Sequence, residues 1–502
     1  MTDTLDRADI QGIIARGYSS LGHARFTLFA CDDQSASRAL LEWLLPRITS
    51  AARKFSADTA VQVAFTPTGL HRLGLPEQAV AGFSLEFLDG MAAPNRSRFL
   101  GDVGESAPQG WVWGGLDGPA IDGLILLYAS SAELLDERQG ELARQFAASG
   151  ARPIAVLDTL ERQDREPFGF HDGISQPLIQ GLPKASRASR SVPAGEFVLG
   201  YLNGYRQLTD RPLLPRSTDP RQLLPPDPSG SGRADLGRNG TYLVLRQLEQ
   251  DVDGFWRYVA EATRRPDGSD DRCAQDALAA KLVGRWRSGA PLVKAPHQDN
   301  PVLAQDNDFS YQYTDPLGLA CPLGAHIRRA NPRDSLDPAP GTDASLQVNS
   351  LHRLLRRGRS YGPGGGAAAG GAAAGSAAAG RAAAGGQGPG GAGGTRGPDQ
   401  ATGLYFICLA ASLARQFEFV QHTWLNDPTF NGLYDDADPL TGSRQSRGRT
   451  FTVPARPVRR RYRGLPQFAW TRGGAYFFLP GISALRYLQQ LPGSIPPAPR
   501  TG

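Results

Sequence analysis

Apolar residues recur along this chain in two rhythms that follow one another. The segment 24–48, ARFTLFACDDQSASRALLEWLLPRI, opens on a short apolar run and continues with leucines three and four positions apart. The first rhythm suits a strand of about seven residues and the second an amphipathic helix. The segment 240–262, GTYLVLRQLEQDVDGFWRYVAEA, repeats that order. A second pair, VQVAFTPTGLHRLGL at 61–75 and AYFFLPGISALRYLQQL at 475–491, joins an apolar-aromatic strand to a helix through a Thr-Pro or Leu-Pro turn. Each half of the chain opens with one form and carries the other later. The pattern predicts an internal duplication: an α+β fold of two domains, each an antiparallel sheet with helices packed on one face.

Two stretches break the pattern. Residues 181–240 are dominated by proline and small polar residues and predict a connection with short strands of its own. A boundary there gives an N-terminal domain over 1–190 and a C-terminal domain over 191–502. The run PGGGAAAGGAAAGSAAAGRAAAGGQGPGGAGGTR, 363–396, offers too little side chain to offset its ordering entropy. It predicts a disordered surface insertion inside the second domain.

Composition narrows the partners. A length of 502 residues accommodates two large domains. The net charge of +5 is small for that length, and basic and acidic residues alternate, so no nucleic-acid partner is expected. No window approaches the ~18 apolar residues of a membrane span. The N-terminus lacks a basic segment followed by an apolar one, which predicts a cytoplasmic protein without a signal peptide. Cys31, Cys273, Cys321 and Cys408 are scattered with no CxxC pair. That spacing predicts reduced thiols rather than disulfides or zinc.

Candidate chemistry concentrates in two stretches. The chain has seven histidines, none at HExxH or HxH spacing, so a multi-histidine metal site has little support. In CPLGAHIRRANPRD, 321–334, His326 is followed closely by Arg328, Arg329 and Arg333. A lone histidine at a helix start is most often structural. A single imidazole suffices for iron when a porphyrin supplies four nitrogens, and arginines can neutralise its propionates. The cluster therefore suits haem better than other cofactors. In GFHDGISQP, 169–177, Asp172 stands between His171 and Gly173. An Asp-Gly pair ordinarily orders a tight turn. A carboxylate carried on such a turn can also move protons, and neighbouring glycines let it approach a flat ligand. On an extended loop His171 should point away from Asp172.

With these segments in hand the chain resembles the dye-decolourising peroxidases. GFHDGISQP matches that family's GxxDG motif. CPLGAHIRRANPRD looks like its proximal-histidine segment, and LHRLLRRGRSYG, 351–362, is similar to its distal-arginine segment. The opening DIQGIIARGY, the FTPTGLHRLGL turn and the closing GGAYFFLPGISALRYL resemble it too. The Gly/Ala run is not part of the family's pattern.

The resemblance implies two ferredoxin-like domains of the dimeric α+β barrel type, with haem in the C-terminal one. It implies one haem b per chain with His326 as axial iron ligand. Gly173, Ile174 and Ser175 would line the haem, and Asn331 and Arg333 would hold a propionate. It makes Asp172 and Arg356 the distal catalytic pair, with Arg357 as the alternative in register. Glu418 and Asp427 are candidates for an acidic partner of His326. The implied activity reduces hydrogen peroxide and oxidises small aromatic, phenolic or dye-like reductants in one-electron steps. A haem carrier or sensor on the same fold is the alternative, and it would need neither Asp172 nor Arg356. A cofactor-free binding module is a third reading. The oligomeric state is left open.

Overall fold

The structure, a computed structural model, describes residues 4–52, 57–182, 191–363, 401–444 and 449–491. Most of the Gly/Ala run, whose disorder the composition predicts, lies outside the described residues. Strand β1 (His23–Cys31) leads through Asp33, whose side chain caps the next helix, into α1 (Gln34–Leu44). Strands β2 (Thr59–Phe65) and β3 (Gly123–Ala129), helix α2 (Ala132–Ser149) and strand β4 (Ala151–Asp158) complete the first unit. The second begins with β5 (Thr241–Gln250), α3 (Val252–Thr263) and α4 (Arg272–Val283). It continues through the short helix α5 (His326–Ala330), the short strands β6 (Leu355–Arg356) and β7 (Arg359–Tyr361), and β8 (Gly403–Ala410). Two π-helical segments, Ala414–Glu418 and Val420–Asn426, then lead to β9 (Ala469–Leu479) and α6 (Ile482–Gln489). All four strand-helix segments expected from the periodicity are present.

Strands β1 to β9 form one antiparallel sheet in the order β4-β1-β3-β2-β9-β5-β8-β6, with β7 also on β8. Within the first unit the order is fourth, first, third, second strand. The second unit repeats it, with β9 as fourth strand, β5 as first, β8 as third and β6 with β7 as second. Each is a ferredoxin-like arrangement, as the duplication and the family resemblance imply. The units meet at β2 and β9, where Phe65 pairs with Phe478. Alternation assigns the strand side chains to two buried layers. Ile125, Leu127, Val244 and Phe478 enter one, while Leu124, Leu126, Leu245 and Phe477 enter the other. Both faces are covered, so the strands read as near-continuous apolar runs.

The 181–240 connection contains a two-stranded sheet, Leu213–Leu214 with Ala234–Asp235. All four cysteines are free. Among the described residues no helix is long and apolar enough to cross a membrane.

Candidate active site

Beyond Leu245, strand β5 leaves the packed core, and the even-numbered residues Arg246, Leu248 and Gln250 face a cavity of about 270 Å³. Leu404 and Phe406 of β8 and Arg356 of β6 extend the same face. The sheet is thus one wall; α5 and the π-helical segments form another.

Each expected site residue lies in this cavity: Asp172, Gly173, Ile174, Ser175, His326, Asn331, Arg333 and Arg356 all line it. The loop bearing Asp172 is held from outside the first unit. Phe168 and Phe170 pack on Phe255 of α3, with ring centroids 4.8 and 6.5 Å apart. The loop closes on itself through the Asp172 N–H, which donates to the Asp164 carbonyl at 3.2 Å. Gly169 and Gly173 have φ of +94° and +82°, the left-handed region that glycine tolerates. The space a Gly173 side chain would take is open. The Asp172 side chain is 56 % exposed, and its Oδ1 lies 3.9 Å from Nη2 of Arg356. His171 engages Gln305 instead, with Nε2 3.0 Å from the amide nitrogen.

The two consecutive arginines face opposite sides. Arg356 faces the cavity and its N–H donates to Gln176. Arg357 turns to the opposite side and donates to the carbonyls of Ile13 and Ile14. Burial pushes its pKa down to about 10.

His326 opens α5, and its Nδ1 lies 2.9 and 3.1 Å from the two carboxylate oxygens of Asp438. Asp438 is fully buried and also accepts from the N–H groups of Leu440 and Thr441. Burial opposes charge on both partners. Their mutual attraction outweighs it, raising the His326 pKa and holding Asp438 well below the usual carboxylate range. With Nδ1 committed to the carboxylate, Nε2 is the nitrogen left to face the cavity.

The expected acidic partners are thereby replaced. Glu418 binds Arg96 and the Tyr476 hydroxyl. Asp427 caps Thr429. Asp438 lies 112 positions from His326 in a stretch with no distinctive spacing, so only the fold could reveal it.

The arginines after His326 divide in the same way. Arg328 and Arg329 are not cavity cations: both are buried and bind chain carbonyls. Arg328 donates to Cys321, and Arg329 donates to Trp424 and Asp436. The Arg329 bonds tie α5 to the second π-helical segment and to the stretch that carries Asp438. Arg333 lines the cavity, donates to the Asn307 and Phe309 carbonyls, and stacks 3.7 Å over the Phe309 ring. Asn331 links Ser175 to Asn349.

Sequence reasoning missed Arg353, which also lines the cavity; burial, with Arg333 and Arg356 nearby, pushes its pKa down to about 9. It also missed Glu166, a cavity carboxyl pushed up to about 7 by burial.

The donor set can be tested against a porphyrin. Among the described residues there is no cluster of three or more His, Cys, Asp and Glu side chains able to hold a bare metal ion. One carboxylate-oriented imidazole, apolar walls and the guanidiniums of Arg333 and Arg356 acting on Arg353 fit a flat apolar ligand with its own metal donors and negative charges.

No family model matches the chain. It is 29% identical over 505 residues to a dye-decolorizing peroxidase of Exidia glandulosa, spanning 96% of this chain and 87% of that protein. The crystal structure of a fungal DyP-type peroxidase from Auricularia auricula-judae superposes with a TM-score of 0.73 at 26% identity, covering 97% of this chain and all of that one. A dye-decolorizing peroxidase in complex with 2,6-dimethoxyphenol gives 0.71 at 25% identity, over 96% of this chain and 98% of that one. Likeness in both sequence and fold over nearly the whole length makes this chain a peroxidase, an oxidoreductase with tandem ferredoxin-like units. Within that class it is a homologue of the dye-decolourising peroxidases, as its motifs imply.

Proposed function

We propose that the chain is a haem peroxidase that reduces hydrogen peroxide and oxidises phenolic or dye-like aromatics one electron at a time. The observation that carries this reading is a carboxylate-paired imidazole, His326 with Asp438, sharing one cavity with Asp172 and Arg356. His326 would hold the iron of one haem b per chain, and Arg333 and Asn331 would meet a propionate. The haem would supply the electrons that cleave the peroxide O–O bond.

The protein's own groups manage protons and charge. Asp172 accepts a proton from the near oxygen of the peroxide and returns it to the far one, which leaves as water. Arg356 keeps its positive charge throughout and stabilises the peroxide anion formed between those two transfers. The Asp438 carboxylate fixes the His326 ring and makes its Nε2 a stronger donor. A phenol suits the second half of the reaction because losing one electron and one proton leaves a delocalised radical. The complex of a related peroxidase with 2,6-dimethoxyphenol supports that substrate class.

The test is spectroscopic. Purified protein titrated with haemin should develop a Soret band at one haem per chain, and His326→Ala should bind loosely and lose haem on gel filtration. An unchanged five-coordinate ferric spectrum in His326→Ala overturns the assignment.

A further inference from the structure

Glu166 has no part in the chemistry above, yet it is built into the same loop as Asp172. Its Oε2 accepts from the Phe168 N–H and its Oε1 from the Phe170 N–H, both at 3.0 Å. The Gln250 side-chain amide donates to Oε2 at 3.1 Å. The backbone of the same residue completes the turn: the Glu166 N–H donates to the Phe170 carbonyl, and the Gly169 N–H donates to the Glu166 carbonyl. One carboxylate thus gathers the N–H groups of the two packed phenylalanines, the second of them two residues before Asp172. Three donors converge on it and it lines the cavity.

The charged surroundings of Glu166 are sparse. On its own loop, Asp172 opposes a second negative charge. Arg165 and Arg287 lie on the outer side of the turn, where Arg165 donates to the Gly169 and Arg287 carbonyls. Arg287 stacks on Trp256 of α3. From β5 the neutral Gln250 reaches the Glu166 carboxylate, and Arg246, four residues back on the same strand, also faces the cavity.

We propose that Glu166 is the positioning residue for Asp172: its carboxylate clamps the loop that carries the acid, and protonation of Glu166 loosens that clamp. The proposal rests on the assignment of Asp172 above. An ionised carboxylate accepts these bonds about twice as strongly as a neutral acid does. Burial places its ionisation near neutrality, where a modest pH change alters the charge. Peroxide turnover then depends on the charge of two carboxyls, one that moves the proton and one that holds the first in place.

Hydrogen–deuterium exchange of the haem-free protein reads the clamp without any activity. After correction for intrinsic exchange, the peptide spanning 166–172 should be better protected at pH 8 than at pH 6. In Glu166→Gln the protection should fall by roughly tenfold or more at pH 8 and become independent of pH, because an amide offers only one acceptor oxygen. Gln250→Leu keeps both backbone bonds but removes one donor to the carboxylate, so it should shift the midpoint of protection to higher pH. Asp172→Asn should leave the protection midpoint present, though lower. If Asp172→Asn retains full peroxide rate while the pH-dependent protection persists, the Asp172 assignment fails and the clamp stands. If protection in the wild type does not vary with pH, or Glu166→Gln exchanges like wild type, the proposal is overturned. The same holds if Gln250→Leu leaves the midpoint in place.

Discussion

Asp172, the proposed proton carrier, and His171 differ by one position in the chain and by their surroundings in the cavity. Asp172 lies 3.9 Å from Arg356, while His171 is spent on Gln305. Asp172→Asn should slow the reaction with peroxide by ~10²–10⁴-fold, since an amide cannot accept and return a proton. His171→Ala should cost less than roughly tenfold, about 1.4 kcal/mol of barrier. Stopped-flow mixing with peroxide, with Arg356→Leu in parallel, gives the three rates; a loss in His171→Ala larger than in both others would move the acid–base role to the histidine. The His326–Asp438 pair makes a second prediction, in pH. Asp438 is depressed, so its contribution to stability is present above about pH 4 and is lost as pH falls. His326 is raised, so its contribution is full below about pH 6.5 and is lost as pH rises through its folded value. Asp438→Asn in the haem-free protein should therefore cost about 1–3 kcal/mol, most between about pH 4 and 6.5. Thermal melts across pH check this, and a gap that widens outside the window would contradict it.

At the scale of elements, the turn FTPTGLHRLGL shows how a short segment reads itself. Thr66 caps the helix Pro67–Arg72 by accepting from the Gly69 N–H, and Pro67 takes the first helical position, where no N–H is needed. Gly69 is required by packing rather than by conformation. A Cβ there would lie 1.8 Å from the Asp122 carbonyl oxygen, which belongs to backbone entering β3 and cannot step aside. Gly69→Ala should lower stability by about 1–3 kcal/mol or more, and Thr66→Ala by about 1 kcal/mol. Denaturant unfolding of both variants measures the difference, and a neutral Gly69→Ala would mean that the β2–β3 connection yields more easily than its packing implies. The Thr-Pro turn and the strand-helix rhythms are local, which is why they were legible from the chain.

At the scale of the molecule, Phe65–Phe478 is the strand pair that joins the two units among the described residues, and the N-terminal segment closes the seam. Gln11 is fully buried there; its amide donates to the carbonyls of Val63 and Pro480, and its carbonyl accepts from the Val63 N–H. Asp9 accepts from Asn239 and, through its backbone carbonyl, from Ile482. Gln11→Ala removes three buried bonds and should cost about 3 kcal/mol. Calorimetry should then resolve two unfolding transitions in place of one, and a single unshifted transition would show that the seam does not depend on Gln11.

The apolar rhythm by itself determined that there are two α+β units with antiparallel sheets, because burial on a pleated strand or a helix follows a period written in neighbouring residues. The motifs that carry the family resemblance pointed to Asp172, His326 and Arg356 as well. What only the tertiary structure decided is how distant residues serve one another. The loop of Asp172, which precedes residue 190, is seated on α3 of the second unit through Phe168 and Phe170. Asp438, rather than Glu418 or Asp427, meets His326. Arg328 and Arg329 became braces, while Arg353 became a cavity cation. An aspartate or arginine has the same local signature whether it caps a turn, braces a loop or faces a ligand. Its partner, brought near by folding, makes the difference.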